Sequence, residues 1–169
     1  VKDFPFASIQ MTMRAIIILA SLVIAAAAAA QAQPSNATTD SKVISDCLKK
    51  ADDAGDFGSA CIGLVATPCT KKAENDIAKS KACAQRELTV WTALGEAAAK
   101  RVRAGGFKDI STALTESDKG WTQHRDKLCP VFDKIEPGFL PGNAVYCRMQ
   151  TTANRVLLLR KLGDAVNEH

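Results

Sequence analysis

Six cysteines, Cys47, Cys61, Cys69, Cys83, Cys129 and Cys147, constrain this chain more than any other feature. An even number of cysteines in a short chain addressed to an oxidising compartment reads as a set of three disulfides. Short closed loops favour Cys69 with Cys83 and Cys129 with Cys147, which leaves Cys47 for Cys61. The intervals 47 to 61, 61 to 69 and 69 to 83 span 14, 8 and 14 residues. A nested set, Cys47 with Cys83 around Cys61 with Cys69, therefore stays open as a rival. A bridge closing a loop of this size contributes about 3 kcal/mol. Zinc is the other use for such residues, but there is no C-x-x-C pair and the histidines are His124 and His169, so no metal set is expected.

The oxidising compartment is read from the first 32 residues. Met11 to Arg14 is a short basic start, Ala15 to Ala30 is apolar, and Ala30-Gln31-Ala32 is the small-x-small pattern of a signal peptidase site. Cleavage is expected after Ala32, with residues 11–32 as signal peptide and residues 1–10 as sequence upstream of a misplaced start. The apolar stretch is shorter than the roughly 20 residues needed to span a bilayer, and no cysteine lies near the cut to carry a lipid. The expected product is periplasmic or secreted, with no membrane span once the signal is removed.

Residues 33–169 carry 20 basic and 17 acidic side chains, a near-neutral balance. Nucleic-acid binders cluster basic residues with interleaved aromatics, whereas here Lys and Arg alternate with Asp and Glu as on solvated helix faces. No nucleic-acid partner is expected.

Helical periodicity organises the rest. Residues 33–39 read as a disordered lead-in and residues 40–169 as the folded domain. Asp40 or Ser41 caps a first helix with Val43, Ile44, Cys47, Leu48 and Ala51 inward. After a loop from Cys61 to Cys69, a long helix is predicted from about Thr70 to Ala104, with Ile77, Ala84, Leu88, Trp91, Ala98 and Val102 as its seam. A third, about Asp109 to Lys127, turns Ile110, Ala113, Leu114, Trp121, Arg125 and Leu128 to one side and is closed by Cys129-Pro130. A last helix starts near Asn143, with Cys147, Thr151, Val156, Leu158, Leu159, Leu162 and Val166 as its apolar side. The fold class is all-α, an antiparallel bundle of about four helices stapled by disulfides.

An exported hydrolase needs a nucleophile with its base, a metal set or two convergent carboxylates. His124 lies beside Arg125 and Asp126, a solvated setting, and the acidic residues are scattered with no spacing that selects a pair. Oxidised cysteines leave no thiol nucleophile. The chain reads as a non-enzyme with no cofactor.

The block Leu114-Thr-Glu-Ser-Asp-Lys-Gly-Trp121-Thr-Gln-His-Arg125-Asp-Lys-Leu-Cys129, followed by Cys147 and Thr151-Thr-Ala-Asn-Arg155-Val-Leu-Leu158, resembles the LprI-type lysozyme-inhibitor family. The likeness covers about residues 69–162 and rests on Trp121, Arg125, Cys129, Cys147 and Arg155. Asp118 stands where many relatives have Gln, and the family's Leu-Asn and Tyr pair has no counterpart around Leu88-Thr89. The resemblance implies a small exported helical domain that inhibits lysozyme by protein-protein contact. A basic side chain near the Cys129 to Cys147 loop would enter the muramidase cleft, with Lys127, Lys134 and Arg148 as candidates. The same residues have a plain structural use: Trp121 fills a helix interface, the two cysteines staple two helices, and Arg125 and Arg155 pair with carboxylates. The alternative partner is another envelope component, with the chain as an accessory protein that leaves lysozyme untouched. An inhibitory loop between Pro130 and Tyr146 would be exposed, rigid and basic at its tip.

Overall fold

Proline suits the first position of a helix, where its missing N–H would have no intrahelical partner, and in the computed structural model Pro34 opens helix α1, Pro34–Asp53. The supposed lead-in is therefore helical from Pro34 onward. The structure describes residues 34–135 and 143–168; the stretches assigned to an upstream start and a signal peptide lie outside the described residues, as do residues 136–142. A 3-10 turn at Ser59–Cys61 and helices α2 (Ala66–Lys72), α3 (Ile77–Ala104), α4 (Lys108–Phe132) and α5 (Asn143–Asn167) complete the order. The protein is an all-α bundle, with no strand among the described residues.

The helix expected from Thr70 to Ala104 is two helices. α2 stops at Lys72, Glu74 takes a positive φ of 53°, and Asp76 starts α3 by accepting a hydrogen bond from the Lys79 N–H at 3.0 Å. That cap satisfies a donor that helical continuation would have paired differently, and it breaks the run. At the other end of the sequence pattern, Cys129-Pro130 does not close α4. Proline loses the bond to the carbonyl four residues back and its ring crowds that carbonyl, but in the last turn of the helix this is tolerated, and α4 runs to Phe132.

Three disulfides form between cysteines consecutive in the chain: Cys47–Cys61, Cys69–Cys83 and Cys129–Cys147, with Cα–Cα distances of 5.8, 5.6 and 5.4 Å. The nested arrangement is not adopted. The first ties α1 to the 3-10 turn, the second ties α2 to α3, and the third ties the end of α4 to the start of α5.

The main core gathers Ile44 and Leu48 of α1, Val65 and Ala66 at the head of α2, Val90 and Trp91 of α3, and Met149, Ala153, Val156 and Leu157 of α5 around Cys61. α3 and α5 lie against each other in the same direction: Gly95 meets Val156, Arg101 pairs with Asp164 at 2.6 Å, and Gly105 meets Val166. A Cβ at Gly95 would stand 3.0 Å from the Val156 Cγ2, so the bare glycine sets how closely these helices approach. α4 runs back between them, as shown by Cys129 bound to Cys147 and Asp118 bridging to Arg155. α1 runs with α5, since Leu48 and Leu157 meet at Gly58 while Asp52 pairs with Arg160. Parallel neighbours need a long return, and residues 54–76 with α2 supply it.

Some expected inward positions face outward. Val43, Ile77, Leu128 and Leu162 are exposed, and Leu158 is 63% exposed. The reason is the position of the dominant contact: α5 buries Met149, Ala153, Val156 and Leu157, which places Leu158 on its far side. Trp91, fully buried, is the core tryptophan, while Trp121 is half-buried.

One buried carboxylate organises the return segment. Glu87 of α3 is 0% exposed and accepts hydrogen bonds from the N–H groups of Gly63 (2.6 Å), Val65 (2.9 Å) and Ala66 (2.7 Å) and from the Trp91 indole N–H (2.9 Å). Gly63, at φ 91°, is in a conformation that a side chain would resist. Val65 is the N-cap and Ala66 the first residue of α2, where N–H groups lack partners and the helix dipole favours negative charge. Glu87→Ala orphans four buried donors, so equilibrium urea unfolding is expected to show a loss of at least about 3 kcal/mol. Glu87→Gln keeps an acceptor oxygen and is expected to lose less; equal losses would contradict this account.

The Lys79 N–H, donating to the Asp76 carboxylate, holds that group below its ordinary value of 3.8, with the Lys79 side chain adding to the effect. A depressed pKa in the folded state means stability that is present above the ordinary value and lost as pH falls through the lowered one. Asp76→Asn keeps a capping oxygen without the titration. The stability gap between wild type and Asp76→Asn is therefore expected to narrow as the pH of thermal melts drops below about 4.

Candidate functional site

The residues that carry the family likeness meet on one side of α4 and α5. Asp118, Trp121, Arg125 and Cys129 are spaced three and four apart, which puts them on one face of α4. The Arg125 guanidinium lies 4.7 Å from the centre of the Trp121 ring, and that of Arg155, from α5, lies 5.0 Å from it. These contacts are in cation–π range, each contributing about 0.5–1 kcal/mol where partly solvated. Trp121 thus faces a groove and the arginines instead of filling the core.

Asp118 organises the cations. One of its oxygens accepts from Arg155 and the other from Arg103, at the end of α3, at 3.1 Å. Arg155 keeps 15% of its side chain exposed and Arg125 keeps 23%; Arg125 pairs with its neighbour Asp126 at 2.8 Å. The groove these residues border has a volume of about 410 Å³ and runs between α3, α4 and α5, with Gly95, Glu96, Thr152 and Leu159 among its walls. Thr152 is 5% exposed, and its hydroxyl has no hydrogen-bond partner.

The staple beside the groove is built from both helices. Cys129 is fully buried against Cys147, and the Asp133 carboxylate, just past α4, accepts from the Ala144 N–H in the first turn of α5 at 3.1 Å. A second groove, about 570 Å³, reaches Cys147 of that disulfide and is bordered by Leu128, Phe132 and Tyr146 with Thr67 and Thr70 of α2.

The three cations expected to reach a partner are not brought together in either groove. Lys127 and Lys134 are exposed, and Arg148 is half-buried with an Nε atom that has no hydrogen-bond partner. The tip of the loop between them lies among residues 136–142, outside the described residues. His124 is exposed. No group of three or more His, Cys, Asp or Glu side chains arranged to hold a metal occurs among the described residues, and none of their helices is long and apolar enough to cross a membrane.

Sequence reasoning missed Glu87, Arg103 and Thr152. Glu87 had a readable signal, an acidic residue three after Ala84 and four before Trp91 on the seam of α3. Arg103 and Thr152 had none, because their roles come from the approach of three helices.

No family model, no curated protein and no solved structure matches the chain.

The two tryptophans differ in surroundings in a way fluorescence reads directly. Iodide, an anion, is expected to quench Trp121 among its arginines and to leave Trp91 untouched. Trp121→Phe protein is then expected to be almost unquenchable; substantial quenching of that variant would place Trp91 nearer solvent than described.

Proposed function

We propose that the protein is an exported, non-enzymatic binding module of the LprI type that protects the cell wall by protein-protein contact with lysozyme. The observation that carries the reading is the convergence of the likeness residues: Trp121, Arg125 and Arg155 stack together beside the Cys129–Cys147 staple. A rigid junction of two helices with exposed Lys127 and Lys134 flanking it suits insertion of a cation into a cleft lined by catalytic carboxylates. Three disulfides suit a periplasmic or secreted setting. Animal lysozymes are basic, so a near-neutral domain gains no long-range steering toward them and the contact is short-range and shape-driven.

A second reading, an accessory envelope protein with a different protein partner, draws on the 570 Å³ groove and the exposed Leu128, Val131 and Ile135 near it. Apolar surface of this kind marks contact sites.

A turbidity assay decides between them. Oxidised protein in molar excess is expected to slow lysis of cell-wall suspensions by lysozyme, and reduction is expected to abolish the effect. Lys127→Glu with Lys134→Glu is expected to weaken protection by about tenfold or more, the scale of a lost interface charge contact. Full lysis at high excess against several lysozyme types would remove the inhibitor reading and leave the accessory one.

A further inference from the structure

We infer that the groove between α3, α4 and α5 is a binding site for a small organic carboxylate, a function separate from any contact with lysozyme. Its mouth holds three guanidiniums, those of Arg103, Arg125 and Arg155, against the carboxylates of Glu96 and Asp118 in its walls. Arginine forks match planar carboxylates in geometry as well as charge. Asp118 already displays that match inside the protein, with one oxygen on Arg155 and the other on Arg103. The site therefore contains its own carboxylate, held in the position an incoming one would compete for.

The second observation is independent of the arginines. Thr152 lines the same groove, is almost fully buried, and carries a hydroxyl with no hydrogen-bond partner. Buried hydroxyls are nearly always satisfied; this oxygen is itself shielded from solvent, so a polar atom of a ligand reaches it only as the groove wall yields. The volume of about 410 Å³ lies toward the small end of ligand pockets, the range of a monosaccharide acid or an acylated amino acid. The half-buried Trp121 ring, beside both guanidiniums, borders the groove, so a bound ligand changes its surroundings. An anion at the arginines and a hydroxyl or carbonyl toward Thr152 would engage the cations and the unpartnered hydroxyl together.

Titration of Trp121 fluorescence in the full, oxidised chain tests this, with glucuronate and N-acetylglutamate as probes and glucose and inorganic phosphate beside them. Saturable changes with the carboxylates and none with glucose are expected. Arg155→Ala is expected to weaken binding by about tenfold, and Thr152→Val, which keeps shape and removes the hydroxyl, by several-fold. Asp118→Asn removes the internal competitor and is expected to tighten binding severalfold, an outcome that damage to the fold would not produce. Absence of any saturable response up to about 10 mM, well beyond the millimolar range of weak sites, overturns the proposal. So does an unchanged or weaker affinity in Asp118→Asn. Phosphate binding as tightly as the carboxylates overturns the assignment of ligand class. None of these readouts involves lysozyme, so they stand or fall separately from the turbidity assay.

Discussion

A carboxylate placed in the middle of a helical protein is costly unless every lone pair finds a donor, and the fold is arranged around meeting that demand at Glu87. The backbone of residues 63–66 is drawn to α3 because its N–H groups end on that carboxylate. This fixes where α2 begins, which in turn sets Cys69 beside Cys83 and Cys61 beside Cys47. The same carboxylate orients Trp91, the largest fully buried side chain. α1 and α5 close over it with Ile44, Leu48 and Leu157.

The sequence announces most of this arrangement, since amphipathic periodicity is a local property. The all-α class, the start of α5 at Asn143 and the burial of Ala84, Trp91, Ala98 and Val102 follow from spacing alone. What spacing does not reveal is decided by contacts far apart in the chain. Leu158 and Val156 look equally apolar, but α3 approaches α5 at Gly95 and selects Val156. The break between α2 and α3 was visible at Asp76 as a capping residue, yet the alanine- and lysine-rich surroundings favour continuing the helix more strongly on propensity alone. Trp121 read as a core residue because tryptophan usually is one; Trp91 holds that place, and the arginines of two helices claim Trp121.

The likeness residues and the groove share an electrostatic logic. Arg155 and Arg103 come from different helices and would repel each other, and Asp118 lies between them on a third. An acidic residue there turns a pair of cations into a balanced triad and locks α4 against both neighbours. The interface of α4 is otherwise thin, with Leu114 and Cys129 as its buried side chains among the described residues. Charge and a covalent bridge do for this helix what apolar packing does for α3 and α5.

The pairing of each cysteine with the next one in the chain bears on how such a molecule matures. A polypeptide entering an oxidising compartment from its N-terminal end presents Cys47 and Cys61 first, then Cys69 and Cys83, then Cys129 and Cys147. An oxidant that joins thiols in order of arrival, each through a mixed disulfide with the oxidant, produces the native set directly, with no crossed pairing to be reshuffled. A bridge that closes before the next pair is exposed leaves nothing to rearrange, so biogenesis on such a plan would need an oxidase but make little demand on an isomerase.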